Sequence, residues 1–315
     1  MFGIISAGQT LASSPDDISV NIIPQNPAPN DNTTINLSSY AANLDTVLIS
    51  WSVNGKSISS GIGKKSLEVI APAAGDETDI TATISLPDGD IDKKIVIRPT
   101  VMVLLWQADD SYVPPFYRGK AMPTPQSEVK VVAMPEIRTS ASSGIVDPTN
   151  MTYAWKQDYN NVQGSSGYGK NYFIYTNDYL DNSNNIDVTA STVDQNYSSE
   201  ASIDIGTYQP KIEFYKNDPS LGTLFEQALS DGHQIQGAEV LQAAPYFISP
   251  KEIQNPLLAW SWSINDIPIS VLGLRKNLIP LQARAGVSGT SKIDLQINNN
   301  YKIFETASRE INVQF

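Results

Sequence analysis

The sequence predicts an all-β protein made of three tandem sandwich modules, and three observations carry that prediction. Trp51, Trp155 and Trp262 stand 104 and 107 residues apart in a chain of 315. Each is followed by the same markers in the same order. A small polar residue comes three positions later (Asn54, Asp158, Asn265), then a glycine with a basic neighbour (Gly63-Lys64, Gly169-Lys170, Gly273 with Arg275-Lys276). Two alternating apolar segments then close each unit: 80–84 and 95–97, 186–188 and 203–205, 293–297 and 311–313. Finally, 14 Tyr with abundant Asn, Ser and Thr suit half-buried pleated surfaces joined by polar turns. A period of about 105 residues lets each copy bury a core of its own.

Unit one shows the pattern most plainly. Residues 18–23 alternate like an edge strand and end at a proline-rich stretch, 24–29. A second strand is predicted at 33–37. The strongest is 47–53, a near-continuous apolar run containing Trp51. Asn54-Gly55 then supplies a two-residue hairpin turn, since both residues tolerate positive φ. Strands at 56–59, 66–70, 80–86 and 93–97 complete seven. Seven short antiparallel strands with a tryptophan in the third describe an immunoglobulin-like β-sandwich. The indole is expected to fill the space between the sheets. The chain has no Cys, so packing alone must hold the sheets together.

Units two and three follow through short joints, Pro99-Thr100 and 206–210. The expected domains are 16–99, 100–209 and 210–315, after a flexible N-terminus at 1–15. Proline-containing joints of this length predict a fairly stiff rod. Both later units carry an insertion after their first strand, at 109–121 and 217–229, which unit one lacks. The second insertion is expected to form a short helix: Asp218 caps, Pro219 takes the first helical position, and Leu221, Leu224, Phe225 and Leu229 form one apolar face.

Composition narrows the partners. Net charge is −12 and the pI about 4.5, which argues against nucleic acid because no basic stripe is available to displace counterions from phosphates. The absence of Cys excludes disulfides, thiol catalysis and thiolate metal sites. No apolar stretch reaches the length of a membrane-spanning helix. The apolar, small residues at the start of the chain read as the trimmed end of a signal peptide or anchor, with Met1 added as a start.

The Trp51-x-x-Asn54-Gly55 turn, the Gly63-Lys64 step and the paired closing strands resemble the PKD-like and other bacterial immunoglobulin-like repeats of exported proteins. The resemblance covers residues 16–315. It implies the sandwich fold and an exported, periplasmic or cell-surface location; its functional range spans adhesion, spacing, sugar binding and assembly. Two features depart from the minimal repeat: the turn becomes Asp158-Tyr159 and Asn265-Asp266 in the later units, and the insertions are extra. Segments 114–120 and 215–229 also resemble uncharacterised exported proteins of small-genome bacteria, with no activity attached.

Motifs for chemistry are sparse. The single histidine, His233, sits in a Ser-Asp-Gly-His stretch and reads as a loop residue rather than a general base. No nucleophile elbow, zinc-binding helix or phosphate-cradling loop occurs. Asp88, Asp90 and Asp92 are the candidate Ca²⁺ ligands, three carboxylates at alternating positions, against the plainer reading of an acidic hairpin tip. Tyr112, Phe116, Tyr117 and Arg118 are the candidate partner-binding residues, held extended by Pro114-Pro115, against a connector folded onto its own junction. Tyr168 and Tyr172 head a Tyr-rich stretch to residue 179 that offers stacking surfaces for sugars, against cross-strand pairs. The expected function is a non-catalytic exported or surface interaction protein: a rod-like adhesion, spacer or pilus-associated component with a protein or glycan partner. The alternative is a carbohydrate-binding or accessory module.

Overall fold

The residues after each tryptophan set the geometry of the sheets. Asn54 and Gly55, Asp158 and Tyr159, and Asn265 and Asp266 all have positive φ at both turn positions. Paired left-handed residues match the right-handed twist of the flanking strands, so a two-residue turn closes each hairpin without splaying it. The first turn residue also reaches across the sheet. The side-chain oxygens of Asn54, Asp158 and Asn265 accept from the N–H groups of Asp79, Asn185 and Lys292 at 2.9, 2.8 and 2.8 Å.

A computed structural model describes residues 14–139, 143–271, 275–283 and 286–315. Unit one contains β1 (Ile18–Ile23), β2 (Asn32–Ser39), β3 (Leu48–Val53), β4 (Lys56–Ile62), β5 (Ser66–Ile70), β6 (Thr78–Leu86) and β7 (Gly89–Ile97). They form the sheets β1-β2-β5 and β4-β3-β6-β7. Unit two contains β8 (Val101–Ala108), β9 (Glu128–Glu136), β10 (Thr152–Gln157), β11 (Asn160–Asn161), β12 (Gly167–Tyr168), β13 (Tyr172–Thr176), β14 (Ser183–Ser191) and β15 (Ser198–Gly206). Its sheets are β8-β9-β13 and β11-β10-β14-β15, with β12 also on β10.

Unit three contains β16 (Lys211–Asp218), β17 (Gly222–Thr223), β18 (His233–Gln234), β19 (Ala238–Tyr246), α1 (Pro250–Ile253), β20 (Leu258–Ile264), β21 (Ile267–Ile269), β22 (Leu278–Gln282), β23 (Thr290–Asn299) and β24 (Thr306–Gln314). Its sheets are β17-β16-β19-β22 and β18-β24-β23-β20-β21. The same wiring therefore recurs three times, an immunoglobulin-like sandwich in tandem. Each sandwich encloses one apolar cluster.

The tryptophans lie at the centre of these clusters. Trp51, Trp155 and Trp262 are buried, each on an inner strand of its unit's larger sheet. Removing an indole of this size from water contributes on the order of 4 kcal/mol. The polar handle is satisfied each time: indole Nε1 donates to the main-chain carbonyl of Lys64, Lys170 and Lys276 at 2.8, 2.9 and 2.9 Å. The glycine before the first two lysines makes this return possible. Gly63 and Gly169 both have φ of +70°, and a Cβ on Gly63 would lie 2.9 Å from the Asp45 carbonyl. Gly273 lies outside the described residues, as do residues 1–13 of the expected leader. Ser14 caps a 3₁₀ turn, Pro15–Asp17.

One predicted element is corrected. Asp218 does not start a helix over 217–229. Its carboxylate accepts from the N–H groups of Ser220 and Leu221, and Gly222 at φ +78° brings the chain back as β17. An Asx turn thus wins over a helix cap, because Gly222 supplies the left-handed residue that a tight hairpin needs. The short helix of unit three is α1 instead, capped by Ser249 with Pro250 at its first position.

Candidate partner-binding surface

Because side chains alternate along a strand, the sheet that holds each unit's first strand turns one face to the core and one outward. The three outward faces differ in kind. In unit one the outward positions of β1, β2 and β5 are mostly polar: Ser19, Asn21, Thr34, Asn36, Ser66 and Glu68. In unit two they are mostly apolar. Val103 lies opposite Met134, Leu105 opposite Val132, and Val132 opposite Tyr172 across the next pairing. Ile174 continues the patch on β13. These side chains face solvent: Leu105 is 53% exposed and Met134 is 48% exposed.

Unit three presents the equivalent face in covered form. The shared strand register makes Tyr215 the counterpart of Leu105, and Ala244 the counterpart of Met134. Tyr215, Ala244, Tyr246 and Phe247 form a second buried cluster in that unit, with Tyr246 only 5% exposed. Val113 and Tyr117 from the unit-two insertion and Met122 just after it cover it, together with Phe225 and Ala228 from unit three's own insertion.

The unit-two insertion is therefore a strap. Phe247 N–H donates to the Tyr112 carbonyl at 2.6 Å, and Tyr112 N–H donates to Ile248 at 3.0 Å. Ser249 Oγ donates to Asp110 Oδ1 at 2.5 Å, and Thr124 Oγ1 donates to the Phe247 carbonyl at 3.3 Å. The Tyr117 ring meets Tyr246 and Phe247 edge-on at 5.3 and 6.2 Å. The hydroxyls of Tyr215 and Tyr246 share a short hydrogen bond, and burial together with that bond drives the Tyr246 hydroxyl pKa far upward.

The four strap residues singled out from sequence thus separate. Tyr112 and Tyr117 are engaged at the junction. Phe116, 73% exposed with φ of +63°, and Arg118 project from its tip. Tyr168 and Tyr172 also part company. Tyr168 lies on β12 in the five-stranded sheet, with its hydroxyl 3.0 Å from Asn150 Oδ1. Tyr172 faces outward on β13 beneath Lys130 Nζ, 5.1 Å from the ring centroid. Tyr175 points inward and stacks on Phe173 at 5.4 Å, and Tyr179 stacks on Phe304 of unit three at 5.0 Å. The tyrosines of 168–179 therefore do not make one stacking platform, because strand alternation divides them.

The candidate calcium ligands Asp88, Asp90 and Asp92 lie along the β6–β7 hairpin. Asp88 sits in the β6–β7 turn, and Asp92 accepts from Thr83 Oγ1 at 2.7 Å. Among the described residues no group of three or more His, Asp or Glu side chains converges on a common point. His233 pairs through β18 with β24, and its Nε2 lies 2.9 Å from Glu239 Oε2. Burial pushes the Glu239 carboxyl up, but hydrogen bonds from His233, Lys216 and the Gln236 N–H together hold it below its ordinary range. This arrangement holds residues 233–239, the segment after the unit-three insertion, against the sandwich.

Sequence reasoning missed Val103, Leu105, Val132 and Met134. The signal was present: in 101–106 both alternating sets are apolar, whereas a strand with one solvated face alternates.

No protein-family model matches the chain, and no curated protein does. Among solved structures, the chain is similar to the central fibronectin-III array of RIM-binding protein, with 9% identity over 97% of this chain and 99% of that one at a TM-score of 0.33. The three N-terminal domains of the bacteriophage RB49 outer capsid protein Hoc match at 9% identity over 94% and 97%, with a TM-score of 0.26. The fibronectin(III)-like modules of Clostridium thermocellum CbhA match at 16% identity over 61% and 95%, with a TM-score of 0.28. At such low scores the fold assignment rests on strand pairing and core clusters alone.

Proposed function

We propose that this is a non-catalytic interaction protein of the exported, PKD-like kind, acting at the periplasm or cell surface. Its three units are 16–99, 100–209 and 210–315, and it docks a protein partner on the outward face of β8-β9-β13. The contrast between faces supports this reading. The same sheet position is solvated and polar in unit one, apolar and covered in unit three, and apolar and bare in unit two. A contiguous exposed apolar patch rimmed by charge marks an interaction site. Here Lys130, Glu128 and Glu136 supply the rim.

Unit three indicates what such a partner looks like. Its cover is an extended segment carrying Val113, Tyr117 and Met122. The occupant of the unit-two face is accordingly an extended protein segment with alternating aliphatic and aromatic side chains and an acidic group for Lys130.

The junctions support a scaffold that presents this face in a fixed orientation. At the first, Arg98 Nε donates to Glu77 Oε2 at 2.6 Å and Arg98 Nη1 to the Tyr197 hydroxyl at 2.8 Å. Thr100 Oγ1 donates to the Ser198 carbonyl at 2.9 Å, and Ser198 Oγ to Asn26 Oδ1 at 2.7 Å. The second junction is the strap.

A peptide-display selection on the whole protein, counter-selected on the Leu105→Asp/Met134→Asp variant, tests the reading. It predicts enrichment of extended aliphatic–aromatic peptides that lose binding to the variant. Peptides binding both proteins equally would overturn it.

A further inference from the structure

The strand position two residues before the core tryptophan is Ile49 in unit one, Tyr153 in unit two and Trp260 in unit three. Ile49 and Tyr153 are buried, whereas Trp260 packs against its core only in part. In unit one β4 runs beside β3 as far as Leu48, and in unit two β12 pairs with Thr152 and Tyr153. In unit three the described part of the neighbouring strand, β21, pairs with β20 from Trp262 to Ile264.

Trp260 lines a cleft of about 450 Å³ together with Gln254, Asn255, Arg275, Lys276 and Asn277. Its charge is unusual for a chain with a net charge of −12. The side chains of Arg275, Lys276 and Gln254, and the Trp260 indole N–H, have no hydrogen bond or ion pair with the described residues. Among the described residues no acidic side chain lines the cleft. Glu252, close by in sequence, spends Oε2 on the Asn255 and Asn299 amides at 2.9 and 3.3 Å. The cleft therefore combines an aromatic surface, the free amide of Gln254, the side-chain oxygen of Asn277 and two cations with no ion pair among the described residues.

We propose that this cleft binds a carboxylated saccharide. A sugar ring has an apolar face of C–H groups that suits an indole, and hydroxyls that suit the donors and acceptors of Gln254 and Asn277. Arg275 presents a planar fork that matches a carboxylate bidentately, and Lys276 adds a second positive charge. A few convergent polar groups beside an aromatic wall are the usual makeup of a small-ligand site.

Calorimetric titration of the whole protein with tetragalacturonate, maltotetraose and inorganic sulfate tests this, alongside the Arg275→Ala/Lys276→Ala variant. Both substituted residues are exposed, so the melting temperature should not move. Tetragalacturonate should bind saturably and shift the Trp260 indole N–H resonance, with maltotetraose weaker by about tenfold and the variant weaker by about tenfold or more. No saturation up to about 10 mM, or equal binding by the variant, would overturn the assignment. So would sulfate binding as tightly as the sugar while leaving the Trp260 resonance in place. None of these outcomes involves the β8-β9-β13 face.

Discussion

The indole Nε1 of Trp155 donates to the main-chain carbonyl of Lys170 at 2.9 Å. That bond explains why tryptophan and a glycine–lysine step recur together. A buried indole needs an acceptor, and the chain supplies one by turning back through a left-handed glycine directly before the lysine. The core requires the lysine's carbonyl, while its side chain stays at the surface, where Lys170 Nζ donates to the Gly164 carbonyl at 2.6 Å.

Trp155→Phe removes both the hydrogen bond and part of the ring volume, leaving the Lys170 carbonyl without its donor. Denaturant unfolding of the whole protein should show unit two destabilised by about 2–4 kcal/mol. Lys170→Gln, which keeps the carbonyl, should change stability by less than about 0.5 kcal/mol.

Tyr117→Ala tests the strap. Losing its edge contacts with Tyr246 and Phe247 should cost the unit-three transition about 2 kcal/mol. Amide exchange at residues 244–248 should accelerate, with the unit-one amides unchanged. Equal protection in both proteins would mean that the strap does not cover that face.

Glu305 predicts a pH effect of definite sign. Burial raises its carboxyl pKa, and Asn299 Nδ2 donates to Oε2 at 2.6 Å. The folded state therefore holds this proton more tightly than the unfolded chain. The associated stability is complete at pH below the ordinary carboxyl range and is lost as pH rises through the raised pKa. Glu305→Gln keeps an acceptor for Asn299 without the ionisation, so its melting curve should lose that decline on the alkaline side. Glu239 acts in the opposite sense: its lowered pKa contributes stability that is lost on acidification through the folded value.

The fold was legible because its signals are local. Asn54-Gly55 marks a turn through φ preference alone, and Trp51 marks a core strand by size and spacing. Residues 217–229 misled because Asp218-Pro219 caps a helix as readily as it opens an Asx turn, and the deciding residue, Gly222, lies four positions on. The surface was less legible. Whether Leu105 is bare or covered depends on where a strap from another part of the chain lands, and no local pattern encodes that. The separation of Tyr172 from Tyr175 was readable from alternation, but not which of the two faces the core.

The difference between a bare and a covered sheet face is open to direct measurement. Methyl NMR with a soluble nitroxide reports which side chains solvent-borne probes can touch. Leu105 and Met134 of unit two should be strongly broadened while Ala244 of unit three stays sharp. Sharp Leu105 and Met134 signals, or an Ala244 signal broadened as much as theirs, would contradict the assignment of the unit-two face as the free interaction surface.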